Sequence, residues 1–437
     1  TPSLFGGGVP MGPPPPTGFI PMLERLLRLA IILGILAALY LAYWKMRRSS
    51  RSNADEPPPW RDSRVLVVAA QVAALGLIWS AADYLWANFR ARTSNIGLEL
   101  DFGFLDQPSG ISIADNPLNS NAAIREALIQ GVKNTFLIII IGIPLAVIFG
   151  TLIGIARLSA NWLLSKIATV YVEFFRNIPV LLVIVLTWTI FLNAFPPVRI
   201  SWLPFGETFI FNNLRFGFPS IVGGTNFGIF QIIVALALLA AAAVWVGRSR
   251  LFDRAGTPHH RVLYGLGTFI AISVVGFIAL GGPFDITTPE IIDRVYVGGI
   301  TMIMPYAAVM VGLVLYTASH IAEIVRGSIL SVAKGQVEAG NALALNSFQR
   351  YRFVILPQAF RVAFPPLINQ FLNFTKNSSL AFAVGFAEIT GVIQNLFGQS
   401  RPAPQLLLIL MVVYLVFSLV LSAIGNLINR RLQIVGR

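Results

Sequence analysis

The chain has 437 residues, of which 56% are hydrophobic and only 12% charged, with a mean hydropathy of +0.74; a soluble protein of this length carries roughly a quarter charged residues, so lipid must solvate much of it. The formal net charge of +13 does not mark a nucleic-acid binder, because the basic residues lie in short clusters between apolar runs, the pattern of membrane loops. Zero cysteines exclude disulfides, thiolate metal sites and cysteine nucleophiles.

Residues 1–25 are rich in Gly and Pro, including Gly6 to Gly8 and Pro13 to Pro16. They cannot bury a core, and a disordered tail is expected. They lack the charged start of a cleavable secretory signal. A bilayer core about 30 Å thick needs about 20 apolar helical residues. Runs that meet this test lie near 26–44, 65–86, 134–157, 169–194, 227–247, 262–281, 297–318, 362–386 and 405–427. The expected fold class is therefore all-α, a polytopic transmembrane helical bundle of about nine spans. Trp44, Trp60 and Trp86 fall near span ends, where an interfacial belt is the default role. Trp188 lies inside a span and reads as a packing residue.

Between the second and third runs, the segment 87–133 with Asp101, Asp106 and Asp115 reads as an extracytoplasmic loop. In the fourth run, Glu173 and Arg176 stand at i, i+3 and are expected to pair across one helical turn. Glu323 and Arg326 have the same spacing and the same expected role. His259 and His260 lie in a basic loop and read as surface residues, and neither a metal nor a cofactor is expected. The loops 45–64, 157–168, 248–261, 319–361 and 428–437 carry more than twice as many Lys and Arg as the opposite set. The positive-inside rule places that set, and the C-terminus, in the cytoplasm.

The segment 319–361 is patterned like helices. One piece is expected from Gly335 to Leu345. Asn346 and Ser347 form a break with N-cap chemistry, and a second piece runs to about Ile355, where Pro357 should stop it. A helix–turn–helix on the inner face suits docking of a partner; a structured loop with no partner reads equally well on physics alone. Lys376 sits within the eighth run. A mid-span Lys costs about 2.5–3.5 kcal/mol on insertion scales, so it is expected to be paired or to face water. With Asn377, Ser378 and Ser379 as polar neighbours, it is expected to line a substrate path, the alternative being a helix-end Lys that snorkels.

Glu338-Ala339-Gly340, Ala344 and Val354-x-Leu356-Pro357 resemble the EAA loop of type I ATP-binding-cassette importer permeases. That family's pattern is EAA, three residues, Gly, nine residues, Ile, one residue, Leu-Pro. The spacing is kept throughout, with Gly340 in place of Ala, Ala344 in place of Gly and Val354 in place of Ile. The family Gly lies at the bend between the two helical pieces. The flanks are similar to the polar and general L-amino acid permeases: Ala322-Glu323-x-x-Arg326-Gly327, Lys334-Gly335-Gln336, Pro357-Gln358-Ala359-x-Arg361, Thr375 to Leu380, and Glu388. Upstream, Asn134-Thr135 is expected to open the third span, and Glu173-x-x-Arg176-x-x-Pro179 sits at the fourth.

This resemblance implies a five-span importer core within 127–427, with an inserted hairpin at about 227–281. Two further spans and a loop would occupy 26–126, and a cytoplasmic tail 428–437. It implies separate ATPase subunits that grip the loop at Gly335, Gln336, Glu338, Ala339, Gly340, Ala344, Leu356 and Pro357. It also implies a second, paralogous permease subunit and a periplasmic or extracytoplasmic amino-acid-binding protein, in a cell inner membrane whose lipid is a partner and nucleic acid is not. No glycine precedes any lysine, so GxxxxGK[ST] is absent, and ATP hydrolysis would belong to the partner chains rather than to this one. Glu338 is expected to support the loop or contact the ATPase. A secondary transporter or channel would need intramembrane carboxylates for ion coupling, which are scarce. A membrane-embedded enzyme would need His, Asp or Glu clustered at one depth.

Overall fold

A computed structural model describes residues 63–95, 101–112, 120–255, 260–292, 295–399 and 401–432, together with Gly34 and Tyr40. The expected tail 1–25, most of the first span with Trp44, and Trp60, Asp115, His259 and residues 433–437 lie outside the described residues. The chain divides into two compact units, Thr1–Phe102 and Gly103–Arg437. In the first unit, α1 (Ser63–Asn95) covers the second apolar run. Its Trp86 stacks on Phe89 at 5.7 Å between ring centroids, with Arg90 5.1 Å from the same ring.

The second unit holds the remaining elements. Among its described residues, five helices are long and apolar enough to cross a membrane: α2 (Ile124–Ala156), α5 (Phe227–Ala255), α6 (Arg261–Ala279), α7 (Met304–Leu330) and α12 (Ala403–Leu432). Two bent pairs pass the same test: α3 (Trp162–Asn177) with α4 (Val180–Ala194), and a continuous stretch Ser347–Val384 with α11 (Ile389–Gly398). Counting each pair as one span, every apolar run from the third to the ninth has a counterpart.

Three spans differ from the expectation. The fourth run is not a straight span: α3 and α4 meet at 110°. Pro179 forces Ile178 out of the helical region, to φ −103° and ψ 135°, because the proline ring clashes with a preceding helical residue. The third span begins at Ile124, so Asn134 and Thr135 lie inside α2 rather than opening it. There Asn134 Nδ2 donates to the Ala387 carbonyl at 2.8 Å, and Thr135 Oγ1 accepts from the Ile389 amide at 3.1 Å. The seventh span is shifted along the chain. Residues 300–303 form a strand, and α7 continues to Leu330, which places Glu323 and Arg326 on a helix instead of a loop.

The central helix is α7, packed against α2, α3, α4 and α10 (Leu356–Asn377). Small residues on α2 permit the closest of these contacts. A Cβ on Gly150 would lie 2.6 Å from Ile321 Cβ, and one on Gly154 would lie 2.7 Å from the Ala322 carbonyl. Only glycine lets the two backbones approach this closely, the usual device for helix packing in lipid. The hairpin α5–α6 is clasped at one end by two reciprocal cation–π contacts: Arg248 lies 4.5 Å from the Tyr264 ring and Arg261 5.3 Å from the Trp245 ring.

The stretches 195–226 and 282–303, on either side of the α5–α6 hairpin, build a small strand cap. Its strands are β1 (Ile210–Phe211), β2 (Arg215–Phe218), β3 (Ser220–Gly223), β4 (Phe284–Thr287), β5 (Glu290–Ile292), β6 (Val295–Val297) and β7 (Ile300–Ile303). They pair antiparallel as β1-β2-β7, β3-β4 and β5-β6. The fully buried Asn212 ties the cap together. It accepts from the amides of Leu214 at 3.0 Å and Arg215 at 2.8 Å, and donates to Ser201 Oγ at 3.0 Å and the Tyr296 hydroxyl at 2.8 Å. The cap adjoins the start of α7, and the 334–357 segment follows its end. An α-helix of 27 residues rises about 40 Å, so the two features sit a membrane's thickness apart.

Candidate functional site

The 334–357 segment folds as a knuckle. Helix α8 (Lys334–Ala342) ends in a closed turn. The Leu345 amide donates to the Gly340 carbonyl at 3.1 Å and the Ala344 amide to the Asn341 carbonyl at 2.9 Å. This is the Schellman arrangement, whose pivot residue adopts the left-handed conformation and is usually Gly. Here the pivot is Ala344, with φ +53°. The break then starts a new helix as its chemistry dictates: Asn346 Oδ1 accepts from the Gln349 amide at 2.8 Å, while the Asn346 amide donates to Gln349 Oε1 at 3.1 Å. This reciprocal capping box begins α9 (Ser347–Arg350).

Pro357 does not stop the second piece. A π-helical turn over Tyr351–Ile355 joins α9 to α10, and Pro357 lies in the first turn of α10. The Leu356 amide donates five residues back, to Tyr351. A proline in the first turn of a helix costs little, since its missing N–H is an unsatisfied position anyway; widening the ladder by one residue just ahead of it lets the helix run on. Two contacts fasten the knuckle across its bend: Arg350 Nη1 donates to Asn341 Oδ1, and Gln358 Nε2 to Gln336 Oε1 at 3.4 Å.

Glu338 takes no part in this bracing. Its side chain is exposed, as are Gly335, Gln336, Ala339, Ala344 and Pro357, and among the described residues it makes no hydrogen bond or ion pair. Gly340 is buried under Arg350. Leu343, Phe348 and Phe353 on the same knuckle are 75%, 70% and 63% exposed, and Leu356 is exposed as well. A folded element that shows solvent both a free carboxylate and large apolar side chains is suited to seat against a partner.

The charged residues upstream meet differently from the local pairs expected. Arg176 does not pair with Glu173. Its guanidinium lies 3.9 Å from Glu323 Oε2, on α7, and Glu173 is exposed. Glu323 gathers three arginines from three helices: Arg326 at 2.7 Å, Arg176, and Arg157 at the end of α2, which donates to Oε2. A long-range hub thus replaces one of the two i, i+3 pairs, because the break at Pro179 swings α3 beside α7. Sequence reasoning missed Arg157, since no local spacing links it to Glu323.

Lys376 is exposed in the last turn of α10, and among the described residues its ammonium has no partner. Asn377 is half-buried. Ser379 is half-buried and donates to the Lys376 carbonyl at 2.7 Å. Ser378 cannot face an open path, because it is fully buried and its hydroxyl donates to the Thr375 carbonyl at 2.7 Å. The exposed polar face of α10 comprises Asn369, Asn373 and Lys376 instead. These residues, at i, i+4 and i+7, form one stripe of a helix. The two asparagines were legible from that spacing and were overlooked. Beyond the stripe, the buried Glu388 caps α11, accepting from the amides of Thr390 and Gly391 at 2.9 and 2.8 Å and from the Tyr414 hydroxyl at 3.0 Å.

Residues 233–434 match the family described as "Binding-protein-dependent transport system inner membrane component". The chain is 36% identical over 371 residues to the general L-amino acid transport system permease protein AapQ of Rhizobium johnstonii, covering 84% of this chain and 91% of that relative. It is 32% identical over 373 residues to the putative amino-acid ABC transporter permease protein YhdX of Escherichia coli, with coverages of 85% and 94%. To the glutamate/glutamine/aspartate/asparagine transport system permease protein BztB of Rhodobacter capsulatus it is 33% identical over 410 residues, with coverages of 86% and 96%.

Proposed function

We infer the function from one premise: the chain belongs to the family of binding-protein-dependent transport system inner membrane components, as a type I permease of amino-acid ATP-binding-cassette systems. On that premise we propose that it moves polar or general L-amino acids into the cytoplasm, driven by ATP hydrolysed on separate subunits. The knuckle from Gly335 to Pro357 is the handle those subunits grip. The observation that carries this reading is the division of labour at the knuckle. Its fold is closed by Ala344, Asn346, Gln349 and Arg350, which leaves Glu338 exposed and uncommitted.

From Ser347 the second half of the knuckle passes without a helix break into α10, and Arg350 ties it to Asn341 on α8 across the Ala344 turn. A shift imposed on Glu338 would therefore pass through the Arg350–Asn341 contact into the continuous helix that carries Asn369, Asn373 and Lys376, the kind of rigid-body switch that alternating access requires. Exposed amides and an ammonium on a membrane helix are costly against lipid, so this stripe lines a central path shared with a second, paralogous permease chain, with Lys376 near the substrate carboxylate. The importer core lies within 127–427 with α5 and α6 inserted, the knuckle and the C-terminus are cytoplasmic, and an extracytoplasmic amino-acid-binding protein delivers substrate to the cap end.

The test is uptake of radiolabelled L-glutamate and L-glutamine into proteoliposomes containing this chain, its partner permease and the ATPase subunits, with binding protein outside. Uptake that needs ATP and is lost without the ATPase subunits is the expected result. Uptake by the permease chains alone would instead indicate a secondary transporter or channel.

A further inference from the structure

We propose that the strand cap holds a second amino-acid site, in which Arg199 takes the α-carboxylate and Glu207 and Glu290 the α-ammonium of one free amino acid. The cap forms an open cavity of about 600 Å³ between the 198–210 segment and the 288–292 segment, with Arg199, Glu207 and Glu290 exposed at it. This lies within the range of roughly 300–1,000 Å³ typical of small-molecule sites. Its lining includes Arg199, Ser201, Glu207, Thr288 and Glu290 among aliphatic side chains. Among the described residues, the side chains of Arg199, Glu207 and Glu290 make no hydrogen bond or ion pair. One unpaired guanidinium and two unpaired carboxylates facing a single cavity match a zwitterion. The planar guanidinium suits a carboxylate through two parallel hydrogen bonds, and carboxylates accept from an ammonium.

The cavity is built rather than incidental. Ser201 on its wall is fixed by Asn212, which the β2 turn and Tyr296 hold from the other side. Trp202 is locked to Phe211 by paired backbone hydrogen bonds of 2.9 Å. Three consecutive residues, Phe205, Gly206 and Glu207, take left-handed φ angles of 56°, 66° and 69°. Two of them carry side chains for which this conformation is unfavourable, and strain of this kind gathers at functional sites. Here it sets Glu207 at the cavity. The cavity shares no lining residue with the α10 stripe, so this site is distinct from it.

The experiment is calorimetric titration of L-glutamine into the full-length chain in lipid nanodiscs, without ATPase or binding protein. L-glutamine has a neutral side chain, so it reports on its α-groups. Saturable binding is expected, with Kd raised at least tenfold in Arg199→Ala and severalfold in Glu290→Gln. Glutaramate, which lacks the ammonium, and 4-aminobutanamide, which lacks the carboxylate, should each bind at least tenfold more weakly. Arg199→Lys, which keeps the charge and loses the fork, should fall between wild type and alanine and serves if the alanine variant fails to fold. No saturable binding to the wild type would overturn the proposal, as would wild-type affinity in Arg199→Ala. So would an Arg199-dependent association with the binding protein in the absence of L-glutamine binding, which would make the cap a docking surface. ATP-driven uptake is measured separately, so the transport reading and this site can fail independently.

Discussion

The carboxylate of Glu323, at the start of the last third of α7, holds the guanidinium of Arg157 at the end of α2, although 166 residues separate them. The Arg157 side chain is only 12% exposed and its Nε has no partner, so it depends on this one acid. Glu323→Gln should therefore destabilise the permease by about 2 kcal/mol, in the range of hydrogen bonds to charged groups. Thermal unfolding in detergent would register this as a lower midpoint. Glu173→Gln should leave the midpoint unchanged, because Glu173 is exposed and outside the hub.

The knuckle carries three departures from the family pattern, and the backbone assigns a sign to two of them, Ala344 and Gly340. Ala344 sits at φ +53°, a conformation that costs a residue with a Cβ about 1 kcal/mol more than Gly. Gly340 lies in the interior of α8, where a Cβ would meet Arg350 Cγ at 3.4 Å, an ordinary contact. Ala344→Gly should strengthen the turn and Gly340→Ala should stabilise the helix, each by about 0.5–1 kcal/mol. Slower amide exchange over residues 334–350 is the measurement; faster exchange in either variant would refute the assignment.

Glu338 is predicted to matter to assembly and not to folding. Glu338→Lys should leave the thermal midpoint within the equivalent of about 0.5 kcal/mol, as for surface substitutions generally. The same change should reduce co-purification with the ATPase subunits at least tenfold and uncouple ATP hydrolysis from uptake. A variant that unfolds but still binds the ATPase would reverse the proposed role.

The α10 stripe can be probed directly because the chain has no native cysteine. Single cysteines at Asn369, Asn373 and Lys376 should react with a water-soluble thiosulfonate in the assembled transporter, and bound substrate should slow the reaction. Cysteines at Leu415 and Leu419, exposed apolar positions on α12, should stay unreactive in lipid. Equal reactivity of both sets would remove the case for a water-lined path.

How far the sequence could be read depended on the range of the interactions involved. The apolar runs announced the helices because twenty residues of lipid-compatible surface is a local property. The bend at Asn346 was equally local, a capping box contained within four residues. Pro179 and Pro357 look alike in sequence yet act in opposite ways. The first breaks its helix at 110°, and the second is absorbed by a π turn. The strand cap was missed because its strands are only two to four residues long. Two of their pairings, β2 with β7 and β3 with β4, cross the α5–α6 hairpin, as Phe216 does with Met302, so no local periodicity reveals them. Arg176 and Glu323 belong to the same class, being joined only by the fold.

The most direct test of the account is cysteine cross-linking from Ala339, which is exposed beside Glu338. Ala339→Cys provides the chain's single thiol, and a short thiol-to-amine reagent is added to the assembled complex with and without ATP. The account predicts a cross-link to the ATPase subunit whose yield changes with nucleotide. No cross-link to that subunit, together with labelling of the same thiol by an impermeant reagent supplied only from outside the cell, would contradict it.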